Sequence, residues 1–171
     1  MALLDGYRGK FKLRQVSLCL LVREMEVLLA LKKRSFGVGK WNGVGGKQQP
    51  GESIEQTAVR ETQEEIGVTP TSMRRVATLN FYFVGDTEDR NWNQQVVVFL
   101  VNKWDGTPAE SEEMRPEWFK QNELPFQKMW EDDAYWMPQV LEGKNIIGHF
   151  LFDENQKMVD REVEESASAG I

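Results

Sequence analysis

Short apolar runs mark a strand from Val16 to Val22 and a second from Val27 to Leu31. Glycines then break the pattern from Ser35 to Gly46. A helical period replaces it: Ser53 followed by Gln56 is a capping-box start, Pro50-Gly51 forms a turn before it, and Gly67 is placed to end the helix in a left-handed residue. Two strands at about Val76 to Val84 and Gln95 to Val101 flank a polar turn from Gly85 to Asn93. After a loop holding Gly106, Pro108 and Pro116 comes a second helix, N-capped by Asp132 or Asp133, closed near Gly143 and interrupted by Pro138. Strands at Ile146 to Phe152 and Val159 to Val163 complete the chain. This order predicts an α/β fold with a mixed sheet between helices.

The first helix carries a charge pattern. At 100° per residue, Glu61, Glu64 and Glu65 fall within roughly 100° of one another, while Val59, Thr62 and Ile66 share another side. An acidic helix face is ordinarily solvated surface, where like charges one turn apart cost a few tenths of a kcal/mol. Two features shift the balance here: Arg60 stands four residues before Glu64, and a glycine-rich loop, Gly43-Val44-Gly45-Gly46, leads into the segment. Carboxylates that converge repel by about 4 kcal/mol per pair at about 4 Å and an effective dielectric near 20, so they require a cation. Oxygen-only donors suit Mg²⁺ or Mn²⁺.

The stretch Gly46, Glu52, Arg60, Glu61, Thr62, Glu64, Glu65, Gly67 and Val68 resembles the Nudix box, G-x5-E-x7-R-E-U-x-E-E-x-G-U, in which U is a bulky aliphatic residue. Thr62 is the one departure, and its polar group is expected to affect packing, not chemistry. The resemblance implies the α/β/α Nudix sandwich; length and composition predict a single domain over residues 1–171, with 1–14 an N-terminal extension and 164–171 a mobile tail. The resemblance also implies metal-dependent hydrolysis of a nucleoside diphosphate linkage. Glu61 and Glu65 become the leading metal ligands, with Glu64, the Gly45 carbonyl and Glu113 completing the set. Arg60 would orient Glu52 and Glu64, and which glutamate activates water stays open.

Composition narrows the partner. Net charge is −6 and the isoelectric point near 5, which argues against a duplex nucleic acid and leaves a small phosphorylated molecule. Local cations such as Lys32, Lys33 and Arg34 would meet its phosphates, unless they form a solvated loop. Cys19, the only cysteine, sits in an apolar run and is expected to be a buried thiol. No apolar run is long enough to span a membrane and the first residues lack a signal peptide's apolar core, so the expected site is the cytoplasm, with nucleus or mitochondrion as further possibilities. The expected state is a monomer. His149, the only histidine, lies in an apolar strand and is expected to be structural.

Substrate choice must come from outside the box. Trp130-Glu131-Asp132-Asp133-Ala134-Tyr135-Trp136 places adjacent carboxylates between two indoles, and Phe36, Asn42, Phe81 and Phe83 add rings and an amide from other elements. Such a set can stack on a purine and read its edge, although Phe81 and Phe83, two apart on a strand, could equally face one core. The segments KKRSFGVGKWNGVGGK, EEMRPEWF and MWEDDAYW resemble the MutT-type branch of the Nudix family that acts on oxidised purine nucleotides. That resemblance makes Asn42, Asp132 and Asp133 base-edge contacts, Trp130 and Phe81 a stacking wall, and Ser17, Lys32, Phe36, Met114 and Trp136 pocket lining. It implies Mg²⁺-dependent conversion of 8-oxo-dGTP, and of 2-oxo-dATP, to monophosphate and pyrophosphate, cleansing the nucleotide pool. Three other readings stay open: a Nudix hydrolase of a dinucleoside polyphosphate or nucleotide sugar, a non-catalytic nucleotide-binding module, and an interaction protein that kept the fold.

Overall fold

A computed structural model describes residues 2–168 of the chain. Its strands are β1 (Arg14–Arg23), β2 (Glu26–Lys32), β3 (Trp41–Asn42), β4 (Thr69–Phe83), β5 (Gln94–Asp105), β6 (Met114–Lys120), β7 (Asn145–Phe152) and β8 (Met158–Ser166). Two helices accompany them, α1 (Ile54–Ile66) and α2 (Asp133–Leu141). The sheet order is β3-β2-β1-β5-β4-β7-β8, with β6 pairing β2. The β1–β5 and β4–β7 pairs are parallel and the rest antiparallel, so the sheet is mixed as predicted.

Strand alternation sends successive side chains to opposite faces, and each face meets one helix. Cys19, Leu21, Val97 and Phe99 pack with Ala58 and Ile66 of α1, while Leu20, Val98, Leu79 and Phe150 pack with Trp136, Met137 and Val140 of α2. Burying each large apolar side chain of α2 stabilises the layer by about 1.5–3 kcal/mol. Among the described residues no helix is long and apolar enough to cross a membrane.

Four differences from the sequence reading have physical causes. The loop 35–46 contains β3, two residues long and paired to Ala30 and Leu31. Pro116 lies inside β6, which was expected to be loop; β6 bonds only to β2, and a strand with one open edge tolerates a missing N–H. β4 starts at Thr69, not Val76, because bulges near Pro70–Met73 and Arg75–Ala77 disrupt the alternation that would have revealed it. The expected mobile tail is corrected for Glu164 to Ser166, which pair with Ile147 to Asn145, while 169–171 lie outside the described residues.

One irregularity opens the site. β1 and β2 pair only at their hairpin, Val22 with Val27 and Arg23 with Glu26. Beyond it β2 peels away toward β6, and the 44–47 segment takes its place along β1 through the pairs Cys19–Val44 and Val16–Lys47. The gap between the diverging strands is the pocket.

Candidate functional site

The acidic half starts from α1. Ser53 and Gln56 form both bonds of the capping box, at 3.1 and 2.8 Å, and Gly67 closes the helix at φ +75° with its N–H on the Gln63 carbonyl. These local signals fix where each glutamate projects. Thr62, the unusual residue of the box, is fully buried and donates its hydroxyl to the Ala58 carbonyl at 2.7 Å, so it brings no orphan polar group into the core.

Arg60 organises the carboxylates. Its fork holds Glu52 through two bonds, donates to Glu61 at 2.8 Å and Glu64 at 3.3 Å, and reaches the Lys47 carbonyl at 3.1 Å. Glu52 also accepts the Gln49 N–H and the Thr57 hydroxyl. The bond from Arg60, then that from Gln49, lowers the Glu52 carboxyl to about 2, while Arg60 itself is raised.

Glu65 differs. It is 4% exposed and, among the described residues, accepts only the Gly45 N–H, at 3.1 Å. Burial pushes its carboxyl up to about 8; the Gly45 bond and Lys32 oppose the shift, and Glu61 and Glu113 add to it. Gly45 lies against the Ser17 backbone and Gly46 against the Glu61 carboxyl group, so neither position has room for a Cβ. Ser17, itself buried, exchanges hydrogen bonds with the Gly46 backbone at 3.4 Å.

The expected metal ligands are only partly gathered. Glu61 and Glu65 border Gly45–Gly46, whereas Glu64 is exposed beside Arg60 and Glu113, at the foot of β6, pairs with Arg34 at 3.0 Å. Among the described residues no three acidic, histidine or cysteine side chains stand ready around one point. The donor chemistry nevertheless fits a hard divalent cation: oxygen atoms only, around a buried carboxyl that Lys32 influences through its charge.

The second half is a cavity of about 520 Å³ on the α2 face of the sheet, lined by Gly45 and Gly46 at one side and Asp132 and Asp133 at another. All of the expected base-binding residues line it: Ser17, Lys32 and Asn42 from β1 to β3, Phe36 from the loop, Phe81 and Phe83 from β4, Met114 from β6, and Trp130, Asp132, Asp133 and Trp136 around the start of α2. Phe81 and Phe83 do pack on the core, against Phe150 at 5.3 Å and Phe152 at 5.7 Å, and still border the cavity. Trp130 and Phe81 meet through Phe152, and Phe36 lies stacked on Trp130 at 5.2 Å.

Asp132 and Asp133 are 3% and 2% exposed. Trp136 donates its indole N–H to Asp132 Oδ2 at 2.9 Å, while Asp133 Oδ2 is buried with no partner among the described residues. Burial raises both carboxyls, and the Asp132 charge raises Asp133 further, so the pair retains a proton well above the usual carboxylate range. Asn42 has its amide oxygen on the Gly43 N–H at 2.8 Å, which leaves its NH₂ for a ligand.

The sequence reading missed Arg14, Lys40, Lys47, Arg90, Trp92 and Gln94, which also line the cavity. Arg14 was discoverable, since Arg14, Val16 and Leu18 alternate onto one face of β1; Arg90 and Trp92 lie on a loop and carry no period.

Comparison with known proteins places this arrangement. Residues 12–140 match the NUDIX domain family. The chain is 43% identical over 155 residues to an oxidized purine nucleoside triphosphate hydrolase of Danio rerio, covering 91% of this chain and 97% of that protein. It is 42% identical over 152 residues to the protein of the same name in Mus musculus, covering 89% and 95%. A crystal structure of a mutator MutT protein from Bacillus halodurans superposes with a TM-score of 0.76 at 25% identity, covering 89% of this chain and 98% of that one.

Proposed function

This chain belongs to the Nudix family, and from that premise we propose that it hydrolyses oxidised purine nucleoside triphosphates, such as 8-oxo-dGTP and 2-oxo-dATP, to the monophosphate and pyrophosphate. The observation that carries the substrate half of the reading is the buried Asp132–Asp133 pair with one unpartnered oxygen facing an aromatic cavity. A buried oxygen without a donor costs about 1–3 kcal/mol, which a base bearing the matching N–H recovers and a base lacking it does not. 8-Oxoguanine presents N–H donors along the edge such a pair would meet, and a retained proton lets the pair donate as well.

Nudix hydrolases use divalent cations, and Mg²⁺, with Mn²⁺ as substitute, would be held by Glu61, Glu65 and the Gly45 carbonyl, assisted by Glu64 and Glu113. When bound, such an ion neutralises phosphate charge and orients the attacking water. The chain's own part is to hold the donors still. Arg60 anchors Glu52 to the Lys47 turn and spans toward Glu61 and Glu64, and a guanidinium fork fixes carboxylate planes better than an ammonium would. Glu64, being exposed and only weakly tied, is the carboxylate free to take a proton from water. Lys32 lines the cavity and acts electrostatically on Glu65, a position suited to a phosphate.

The acidic protein surface suits a monomer acting on free nucleotides of the cytoplasm, not on duplex nucleic acid. The reading is tested with 8-oxo-dGTP and Mg²⁺ in ¹⁸O-water. Formation of 8-oxo-dGMP and pyrophosphate supports it, and label in the pyrophosphate assigns attack to the β-phosphorus; release of orthophosphate alone contradicts it.

A further inference from the structure

Apart from Phe81 and Phe83, one end of the cavity is built from residues to which the hydrolytic reading gives no task. Register sets them in rows across the sheet: Val16, Val96 and Leu79 form one, and Arg14, Gln94 and Phe81 the next. Beyond the second row the loop between β4 and β5 turns back on itself, fastened by two side chains. Asp86 accepts the Trp92 N–H on both oxygens at 3.0 Å and the Asn93 N–H at 2.8 Å, and Asn93 accepts the Phe83 N–H at 2.8 Å. Asn91 N–H closes the turn on the Thr87 carbonyl at 2.8 Å.

That framework presents Trp92 edge-on to Phe83 at 6.3 Å and sets the Arg90 guanidinium 5.1 Å from its ring centre. Phe83 stacks on Phe152 at 5.7 Å, and Phe152 meets Trp130 at 6.0 Å, so an unbroken aromatic wall runs from Trp92 to the start of α2. Trp92 lines the cavity and remains 44% exposed. A second observation concerns the same end: Arg14 donates to Gln94 at 3.2 Å, but its Nε is buried with no partner, an N–H left for an oxygen of a ligand.

An indole that lines a pocket, its backbone fastened, its ring beside a guanidinium and half open, is a stacking platform. We propose that Trp92, supported by Arg90, is a base-binding residue that extends the purine slot outward and sets substrate affinity without taking part in hydrolysis. This rests on the reading of the cavity as a purine slot.

The test measures calorimetric binding of 8-oxo-dGMP in EDTA and steady-state hydrolysis of 8-oxo-dGTP, for wild type, Trp92→Ala, Trp92→Phe and Arg90→Ala. Loss of one stacking contact should raise Kd and KM by about tenfold in Trp92→Ala with kcat within about twofold of wild type, Trp92→Phe should restore most of the affinity, and Arg90→Ala should fall between. The unfolding midpoint should stay unchanged, because the ring is half exposed. Wild-type affinity in Trp92→Ala, or a fall in kcat with KM unchanged, would overturn the inference. Failure of the unmodified chain to bind or hydrolyse oxidised purine nucleotides would instead overturn the functional reading, and the inference with it.

Discussion

The Trp136 indole N–H fixes Asp132 at 2.9 Å and thereby leaves its neighbour Asp133 as the carboxyl with an open oxygen. The two acids are adjacent in sequence yet unequal in surroundings: Asp132 is oriented by the protein, and Asp133 is the one that the proposed function assigns to the base. Asp133→Asn replaces a group able to accept or donate with one of fixed pattern. The ratio of kcat/KM for 8-oxo-dGTP over 2-oxo-dATP should therefore change by about tenfold or more in that variant. Trp136→Phe should raise KM for both, since it frees Asp132. Unchanged preference in Asp133→Asn would remove the pair from base recognition.

Glu65→Gln separates fold from chemistry. Burial raises the Glu65 carboxyl from the ordinary 4.5 to about 8, so between those values the folded chain binds more protons than the unfolded one and stability falls as pH rises. The glutamine variant lacks that loss. In EDTA its midpoint should exceed wild type at pH 8 and match it near pH 4, the wild-type slope approaching but not exceeding about 1.4 kcal/mol per pH unit. Turnover with metal should drop by at least about 100-fold. Retained turnover would exclude Glu65 from the mechanism.

Arg60→Lys keeps charge and loses the fork. Since Arg60 joins Glu52, Glu61, Glu64 and the Lys47 carbonyl, the lysine variant should lose most of kcat, about tenfold to 100-fold, with a smaller change in KM. The Glu52 carboxyl, held at about 2 by Arg60, contributes stability that is present above the unfolded value of 4.5 and lost as pH falls toward 2. Acid unfolding of Arg60→Lys should thus be less steep in that window, and an acid limb identical to wild type would show that the pair does not stabilise the fold.

Gly45→Ala and Gly46→Ala should fail in different ways. A Cβ at Gly45 meets the Ser17 backbone, which cannot withdraw, so the variant should lose stability by about 2–3 kcal/mol or more. At Gly46 the obstacle is the end of the Glu61 side chain, which can rotate. That variant should fold with a midpoint near wild type and lose activity, because Glu61 is displaced. Thermal melts beside turnover assays distinguish the two outcomes.

Residue signals of short range made α1 and its acidic face legible: cap, turn, stop glycine and charge spacing all lie within one segment. The pocket lining from Phe36 to Trp136 was legible through the resemblance of three separated segments. β3 and β6 were not, because each depends on β2 for its partner and β6 carries a proline in its middle. Also illegible was the rim formed by Arg90 and Trp92, whose place is set by Asp86 and Asn93 bonding to backbone, not by any period along the loop. Glu113 was legible as a carboxylate near the site but not in its partner. It pairs with Arg34, a contact that no spacing in the sequence announces, and acts on Glu65 through its charge.

The central claim is that one cavity joins a phosphate-cleaving acidic helix to a slot selective for oxidised purines. Its most direct test is a competition assay with equimolar 8-oxo-dGTP and dGTP, Mg²⁺ and the purified chain, following both monophosphates by chromatography. Earlier and larger accumulation of 8-oxo-dGMP with stoichiometric pyrophosphate is the predicted result. Equal consumption of the two nucleotides, or of neither, would contradict the account.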